Sequence, residues 1–210
     1  MKRSTYIMLL ILYAATARGQ GGAVGGAGGS GGAWGFVNVR YDTRSSASMY
    51  TGYGWHGAFA MSGVLHNPRT GDAELIGGVG AAFRTGAAAH HWLAFATARA
   101  GDVSSAQIFW LPTVHTGVVT TRANAKWTAE YKRGTARKLT VSPLSMTVPF
   151  SRRLAGGVAA DLTAAHGVRT SIGTGVEARL KIPGAAIVGD ALRDVTGNGT
   201  RLRIFFGSTF

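Results

Sequence analysis

Over most of the chain, apolar and polar residues alternate with a period of two. The clearest run, SIGTGVEARLKI at residues 171–182, places Val176 and Leu180 on one side and Glu177 and Arg179 on the other. Successive side chains of a β-strand point to opposite faces, so this pattern predicts half-buried strands. After residue 33, no segment of the sequence shows a convincing helical periodicity. The chain is therefore predicted to fold as an all-β protein.

Turn-rich clusters divide the alternating part into ten predicted strands. Pro112 and Pro143 interrupt the fifth and seventh of these. The alternation changes phase after Pro143, which predicts a β-bulge. If residues 105–150 hold fewer strands, the total falls to eight, and residues 183–200 form the longest gap. The predicted strands are 34–43, 50–65, 73–85, 89–100, 105–118, 125–132, 138–150, 154–165, 170–182 and 201–210.

The N-terminal residues have the pattern of a secretory signal. Lys2 and Arg3 precede an apolar run at 6–13, and Ala15-Thr16-Ala17 follows as a small-residue cleavage pattern. The apolar run is well short of the ~20 residues that a spanning helix needs. Residues 1–17 are therefore predicted to be a signal peptide that is removed on secretion.

A glycine-rich segment, residues 18–33, follows the predicted signal. It has little apolar surface to offset the entropy of ordering it, so it is predicted to be a flexible linker. No strand precedes it and no periodic helix follows it, which excludes a dinucleotide-binding loop. The remaining residues, 34–210, form the single predicted β domain.

Charge and cysteine content narrow the functional classes. The net charge is +13 and the chain has no cysteine. A basic chain favours an anionic surface or ligand, and secretion makes nucleic acid an unlikely partner. Without cysteine, neither disulfides nor thiolate metal sites are available.

Two architectures accommodate strands with one apolar and one polar face: a soluble sandwich and a membrane barrel. The sandwich, as a secreted domain that binds an anionic partner through its basic surface, is the alternative. The barrel is favoured because charged residues fall inside the strands, and strands of about 9–13 residues suit a tilted bilayer span. Aromatic residues also recur near strand ends, as at membrane interfaces: Trp34, Tyr50, Tyr53, Trp55, Trp92, Trp110, Trp127 and Tyr131.

The last ten residues, RLRIFFGSTF, carry apolar side chains at alternate positions: Leu202, Ile204, Phe206 and the terminal Phe210. This stretch resembles the C-terminal assembly signal of bacterial outer-membrane β-barrel proteins, although Ser208 departs from the pattern. The resemblance implies a Gram-negative outer-membrane location and insertion by the barrel-assembly machinery. The sequence thus predicts a closed antiparallel up-and-down transmembrane β-barrel of about ten strands.

An even strand number places both chain ends on the periplasmic side, so loops after odd strands face outward. On the ten-strand topology, Arg44, Arg193 and residues 152–153 lie on the outside, as does the long gap before the last strand. Arg69 and residues 132–138 face the periplasm. The outer basic residues are expected to meet lipopolysaccharide phosphates, if they meet a specific ligand at all.

Charged residues on the inner phase are expected to pair across the lumen. Wide aqueous pores need about sixteen strands, so a ten-stranded interior is mostly filled by side chains. The function that this predicts is a structural or narrow-pore, porin-like barrel. The predicted charge network consists of Glu130, Asp161, Glu177, Arg179, Lys181, Arg201 and Arg203.

No catalytic, cofactor-binding or metal-binding residue is predicted. His90 and His91 are adjacent, and neighbours on a strand point to opposite faces, so they cannot chelate one metal as a regular strand pair. Small outer-membrane enzymes, the lipid A deacylases and surface proteases, carry Ser/His or Asp/His pairs that have no counterpart motif here. A lipid-modifying enzyme is therefore the third alternative. The expected partners are outer-membrane lipid, lipopolysaccharide and the assembly machinery.

Overall fold

A computed structural model describes most of the predicted β domain. The predicted signal peptide, residues 18–32 of the linker and Phe210 lie outside the described residues. The described ranges are 33–43, 47–67, 71–99, 102–130, 136–165, 168–197 and 199–209. Within them, no helix is long and apolar enough to cross a membrane.

The described residues form twelve antiparallel strands in a single closed sheet. Each strand pairs with its neighbours in sequence, and β1 pairs with β12 to close the barrel. The closed antiparallel barrel is confirmed, and the two-sheet sandwich is excluded. The strands are β1 Ala33–Asp42, β2 Ala47–Trp55, β3 Ala58–His66, β4 Ala73–Thr85, β5 Ala88–Arg99, β6 Asp102–Thr116, β7 Val119–Glu130, β8 Ala136–Pro149, β9 Leu154–Ala165, β10 Val168–Ile182, β11 Ala185–Asp194 and β12 Thr200–Thr209.

The predicted count of about ten strands is wrong, first because residues 50–65 contain two strands. A tight turn at His56 and Gly57, with φ of 47° and 82°, joins β2 to β3. Trp55 pairs with Ala58 across this turn, so the faces exchange their odd and even positions. Trp55 consequently faces outward while Phe59 packs inside, although both are odd-numbered.

The second missed strand is β11, which lies inside the predicted gap 183–200. Its sequence, AAIVGDALRD, has small and apolar residues on both faces, so it lacks the difference in polarity between faces by which the other strands were predicted. Leu192 is nevertheless only 1% exposed, because the opposite residue of β10, Gly175, leaves room for it. Neighbouring strands therefore supply the packing that this strand's own pattern does not indicate.

The predicted irregularity at Pro143 is confirmed as a register shift in β8. Pairing with β9 moves from Val141–Leu162 to Leu144–Ala160, so β8 carries one additional residue here. Ser142, in phase with the inward-facing Thr140, is buried in the barrel, and after the shift the inward positions become Ser145 and Thr147. The preceding strand, β7, begins at Val119, earlier than the predicted 125.

The barrel has two different ends. At one, the turn end, the chain closes most hairpins with two residues, as at Gly86 and Gly117, both with φ of 57°. Glycine is favoured there because two-residue hairpin turns require positive φ. β1 begins and β12 ends at the same end, and the opposite end, the loop end, has several longer connections. Short turns are typical of the periplasmic side of outer-membrane barrels, and longer loops of the outer side.

This topology corrects the predicted sides of the basic loops. Because the prediction missed the turn at 56–57, it assigned each later connection to the wrong end of the barrel relative to β1. The second missed strand, β11, cancels this error for the connections that follow it. Residues 152–153 therefore lie at the turn end, opposite the end near Arg193, and not at the same end as predicted. Lys138 lies near the loop end, the same end as Arg193, whereas the prediction put it on the opposite side. Arg44 and Arg69 lie outside the described residues. Arg193 lies near the loop end, and its predicted outward side stays a prediction.

The outer surface is apolar and the inner one is polar. Val79 and Val176 are 62% and 60% exposed, whereas the guanidinium-bearing Arg203 is 1% exposed. In a water-soluble protein, apolar side chains are mostly buried and charged side chains are mostly exposed. Such a surface needs hydrocarbon around it, and a closed sheet leaves no backbone edge unpaired within a bilayer.

Candidate functional site: the barrel lumen

One wall of the lumen is lined by packed aromatic rings. The ring centroids of Trp34 and Phe36 are 5.7 Å apart, and that of Phe59 lies 5.6 Å from Trp34 and 5.7 Å from Phe36. Aromatic pairs favour such separations. The rings belong to an apolar cluster contributed by β1 to β5, which also includes Tyr50, Met61, Leu65, Ile76, Ala82, Leu93 and Phe95.

Glycines on neighbouring strands let these rings lie against the wall. A Cβ atom added at Gly52 would collide with the Phe36 ring, and one at Gly80 would collide with the Phe59 ring. Each ring thus covers a position that has no side chain of its own. The apolar wall is dense and narrows the lumen from one side.

The facing part of the lumen holds a cluster of buried ion pairs. Asp42, 1% exposed, accepts hydrogen bonds from Arg201 Nε at 2.9 and 3.1 Å. It also accepts one from Arg40 Nη2 at 3.1 Å and pairs with Arg201 Nη2. One carboxylate on β1 therefore serves two guanidinium groups, one of them across the closing seam between β1 and β12.

Arg203 continues the cluster toward the other strands. Its Nε donates to the two carboxylate oxygens of Asp190 at 2.7 and 3.0 Å. Its Nη1 lies 3.1 Å from Asp161 Oδ1 and also donates to Ser142 Oγ. Arg201 Nη1 donates to Asp161 Oδ2 at 2.8 Å. The two arginines of β12 thus connect β1, β8, β9 and β11.

Register explains how these side chains meet. Arg203 is paired with Asp42 on one side and Asp190 on the other, so the three lie in one row. Asp161 is paired with Gly173 on β10, which carries no side chain. Removing one partner of such a buried pair typically costs ~3–5 kcal/mol, because the other charge is left uncompensated.

The structure brings together only part of the predicted charge network. Asp161, Arg201 and Arg203 meet in this ion-pair cluster. Glu177 and Arg179 form a separate pair on β10, with 2.9 Å between Arg179 Nε and Glu177 Oε1. Lys181 lies near the turn end and Glu130 near the loop end, both outside the cluster.

Sequence reasoning missed four members of the cluster: Arg40, Asp42, Ser142 and Asp190. Arg40 and Asp42 share the inner phase of β1, so alternation alone was sufficient to find them. Asp190 was hidden because β11 was interpreted as a loop. Ser142 shares the inward face of Thr140, but it carries no charge that would have marked it as a partner of Arg203.

The wall formed by β7 and β8 is rich in hydroxyl groups and cations. Lys126 Nζ lies 5.6 Å from the centroid of the Phe109 ring. Arg122 Nη1 donates to Thr147 Oγ1 at 3.1 Å. Several buried polar atoms of this wall have no hydrogen-bond partner within the described chain: Asn124 Oδ1, Thr128 Oγ1, Thr140 Oγ1 and Ser145 Oγ.

The histidine pair lies on two faces of β5. His91 is buried inside, whereas His90 is outside, stacked 6.3 Å from Trp110. Trp110 Nε1 donates to His90 Nδ1 at 3.4 Å. In the described part of the chain, no three histidine or carboxylate side chains come close enough together to hold a metal ion.

Comparison with known proteins gives a fold but no family. No protein-family model matches the sequence, and no curated protein matches it. Among solved structures, the KdgM porin in complex with disordered oligogalacturonate is 10% identical with a TM-score of 0.59. A second KdgM porin structure has a TM-score of 0.57, also at 10% identity. In both cases 83% of this chain aligns with 99% of the porin.

A third similar structure comes from work on the in-meso crystallization of membrane proteins. It is 12% identical, with a TM-score of 0.55, over 84% of this chain and 83% of that chain. At such identities the likeness is one of fold. The fold is that of outer-membrane porins, and the apolar outer surface requires lipid around it. The protein is therefore a porin-like β-barrel of the outer membrane.

Proposed function

We propose that this protein is a narrow channel through the outer membrane, with a charged lumen largely filled by side chains. The observation that carries the proposal is the ion-pair cluster. Arg201 on β12 spans two intervening strands to reach Asp161 on β9, with 2.8 Å between Nη1 and Oδ2. A side-chain contact between two strands that are not neighbours crosses part of the lumen. It therefore places charged groups in the path of a solute.

Barrel size supports a narrow pore. Barrels of about eight strands are filled by side chains, and those of about 16–18 strands leave an aqueous channel. Twelve strands lie between these limits. The aromatic wall narrows one side, and the ion pairs narrow another. Small ions are expected to pass when the long arginine side chains change rotamer.

The test is ion conductance in planar lipid bilayers. The double variant Arg201→Ser, Asp161→Ala removes one charge of each sign and shortens both side chains. We expect single-channel conductance to rise severalfold over wild type. Arg152→Ala, an exposed change at the turn end, is the matched control and is expected to leave conductance unchanged. A folded wild type and double variant that both carry no current would refute the channel function.

We also propose the partners that such a location implies. Outer-membrane lipid would cover the apolar surface, and the barrel-assembly machinery would insert the chain. Exposed Arg193, near the loop end of β11, supports a contact with lipopolysaccharide phosphates if that end faces outward. Such a contact is mainly electrostatic and weakens with salt.

A further inference from the structure

We propose that the lumen contains a binding site for a small oxyanion, such as phosphate or a carboxylate, between Lys126 on one wall and Arg40 with Arg201 on the opposite wall. This inference deepens the proposed channel function and rests on it for its biological meaning. The donors of the site include a lysine that forms no ion pair among the described residues and buried polar atoms that have no hydrogen-bond partner there.

Lys126 is the centre of the argument. It projects from β7 into a region where its electrostatic neighbours are Arg40, Lys138 and Arg201, against one acid, Glu130. Among the described residues Lys126 forms no ion pair, and its ammonium group lies over the Phe109 ring. A cation over a ring gains less than an ion pair and leaves the three ammonium protons without acceptors.

Arg40 brings further positive charge from β1. Its Nη2 shares Asp42 with Arg201, and Arg201 has a second carboxylate partner in Asp161. The guanidinium carbon lies 5.1 Å from the centroid of the Phe205 ring. Arg40 Nε is buried and has no hydrogen-bond acceptor in the described part of the chain. A donor is thus left over on the wall opposite Lys126.

Hydroxyl groups complete the set of donors. Lys126 pairs with Thr140 across the β7–β8 ladder, and Thr128 lies two residues further along β7. Both threonines are buried, and neither Oγ1 has a hydrogen-bond partner among the described residues. Hydroxyls can donate to an anion, and donors that carry charge form the stronger bonds.

The chemistry selects the ligand class. A half-buried cation without a counter-charge is partly desolvated, and a bound anion compensates it. Ammonium, guanidinium and hydroxyl donors from two walls suit a ligand with several acceptor oxygens, which describes phosphate and carboxylate groups. The same ammonium and guanidinium groups would repel a cation.

The test uses the folded full-length barrel in detergent and inorganic phosphate as the probe. Thermal unfolding is followed while sodium phosphate replaces sodium chloride at constant ionic strength. A ligand that binds only the folded state raises the unfolding temperature in a saturable way. We expect this for wild type, with phosphate affinity at least ~10-fold weaker for Lys126→Gln. Lys181→Gln, which removes a lysine near the turn end, is expected to respond as wild type does.

The outcomes separate the site from the channel. No saturable rise in wild type, or an equal rise in wild type and Lys126→Gln, overturns the anion site. If Lys126→Gln does not fold, Lys126→Arg retains the charge and must retain phosphate binding. Because binding is read without current, phosphate binding to a non-conducting barrel supports the site and refutes only the channel. Conductance without phosphate binding refutes only the site.

Discussion

At the scale of single residues, glycine positions decide how the aromatic wall packs. A Cβ atom at Gly80 would collide with the Phe59 ring and approach the Trp92 carbonyl. Gly77, on the same strand, has nothing within 4 Å of such an atom. We expect Gly80→Ala to lower the free energy of unfolding by about 1–3 kcal/mol through overpacking. Gly77→Ala is expected to change it by less than ~0.5 kcal/mol.

Denaturant unfolding in lipid vesicles, followed by tryptophan fluorescence, measures both glycine variants. Equal effects of the two substitutions would mean that the Phe59 ring does not depend on the space above Gly80. The comparison is well matched because both changes add one methyl group to β4. The two positions differ in face: Gly77 is on the lipid side and Gly80 on the lumen side.

At the scale of strands, a strand can be predicted from the sequence when its two faces differ clearly in polarity. β10 was identified because every charged residue of 171–182 lies on one side. β11 was missed because its small residues look alike on both sides. The β2–β3 boundary was missed because a two-residue turn preserves an uninterrupted odd-numbered apolar series while reversing its face. Local pattern reveals a strand, but only pairing reveals where a tight turn reverses it.

The final strand allows a direct test of the proposed assembly signal. Leu202 and Ile204 are half exposed on the lipid side of β12, in phase with the predicted signal. Phe210 lies outside the described residues, so its role remains a prediction. We expect deletion of Phe210 to reduce the folded protein in the outer-membrane fraction severalfold, because the signal ends on that side chain. Fractionation and gel mobility before and after boiling measure this.

Phe205→Ala is the control for the terminal deletion, since this residue lies on the lumen side of the same strand, against Arg40. This substitution changes β12 but none of the apolar side chains on its lipid side. Its level in the outer membrane is expected to stay close to that of wild type. If the deletion and wild type reach the same level, the terminal residue is not needed for recognition.

At the scale of the whole molecule, the sequence indicates which side chains face inward but not which of them meet. Alternation placed Asp161, Arg201 and Arg203 on the inner phase. That Asp161 reaches both arginines depends on the register of four strands. Such contacts arise from closure of the sheet, so no local window contains them. The same holds for Lys126 and Arg40, which come from opposite walls.

Closure also fixes which end each connection occupies, and one labelling experiment tests it. The ten-strand topology puts residues 152 and 195 on the same side, whereas the twelve-strand barrel puts them at opposite ends. The chain has no cysteine, and both side chains are exposed, so Arg152→Cys and Val195→Cys each offer one accessible thiol. With the turn end in the periplasm, a membrane-impermeant maleimide on intact cells should label Val195→Cys alone. Arg152→Cys should react only after the outer membrane is permeabilised. Labelling of both in intact cells would contradict the topology, because a barrel that spans the membrane cannot present its two opposite ends to one compartment.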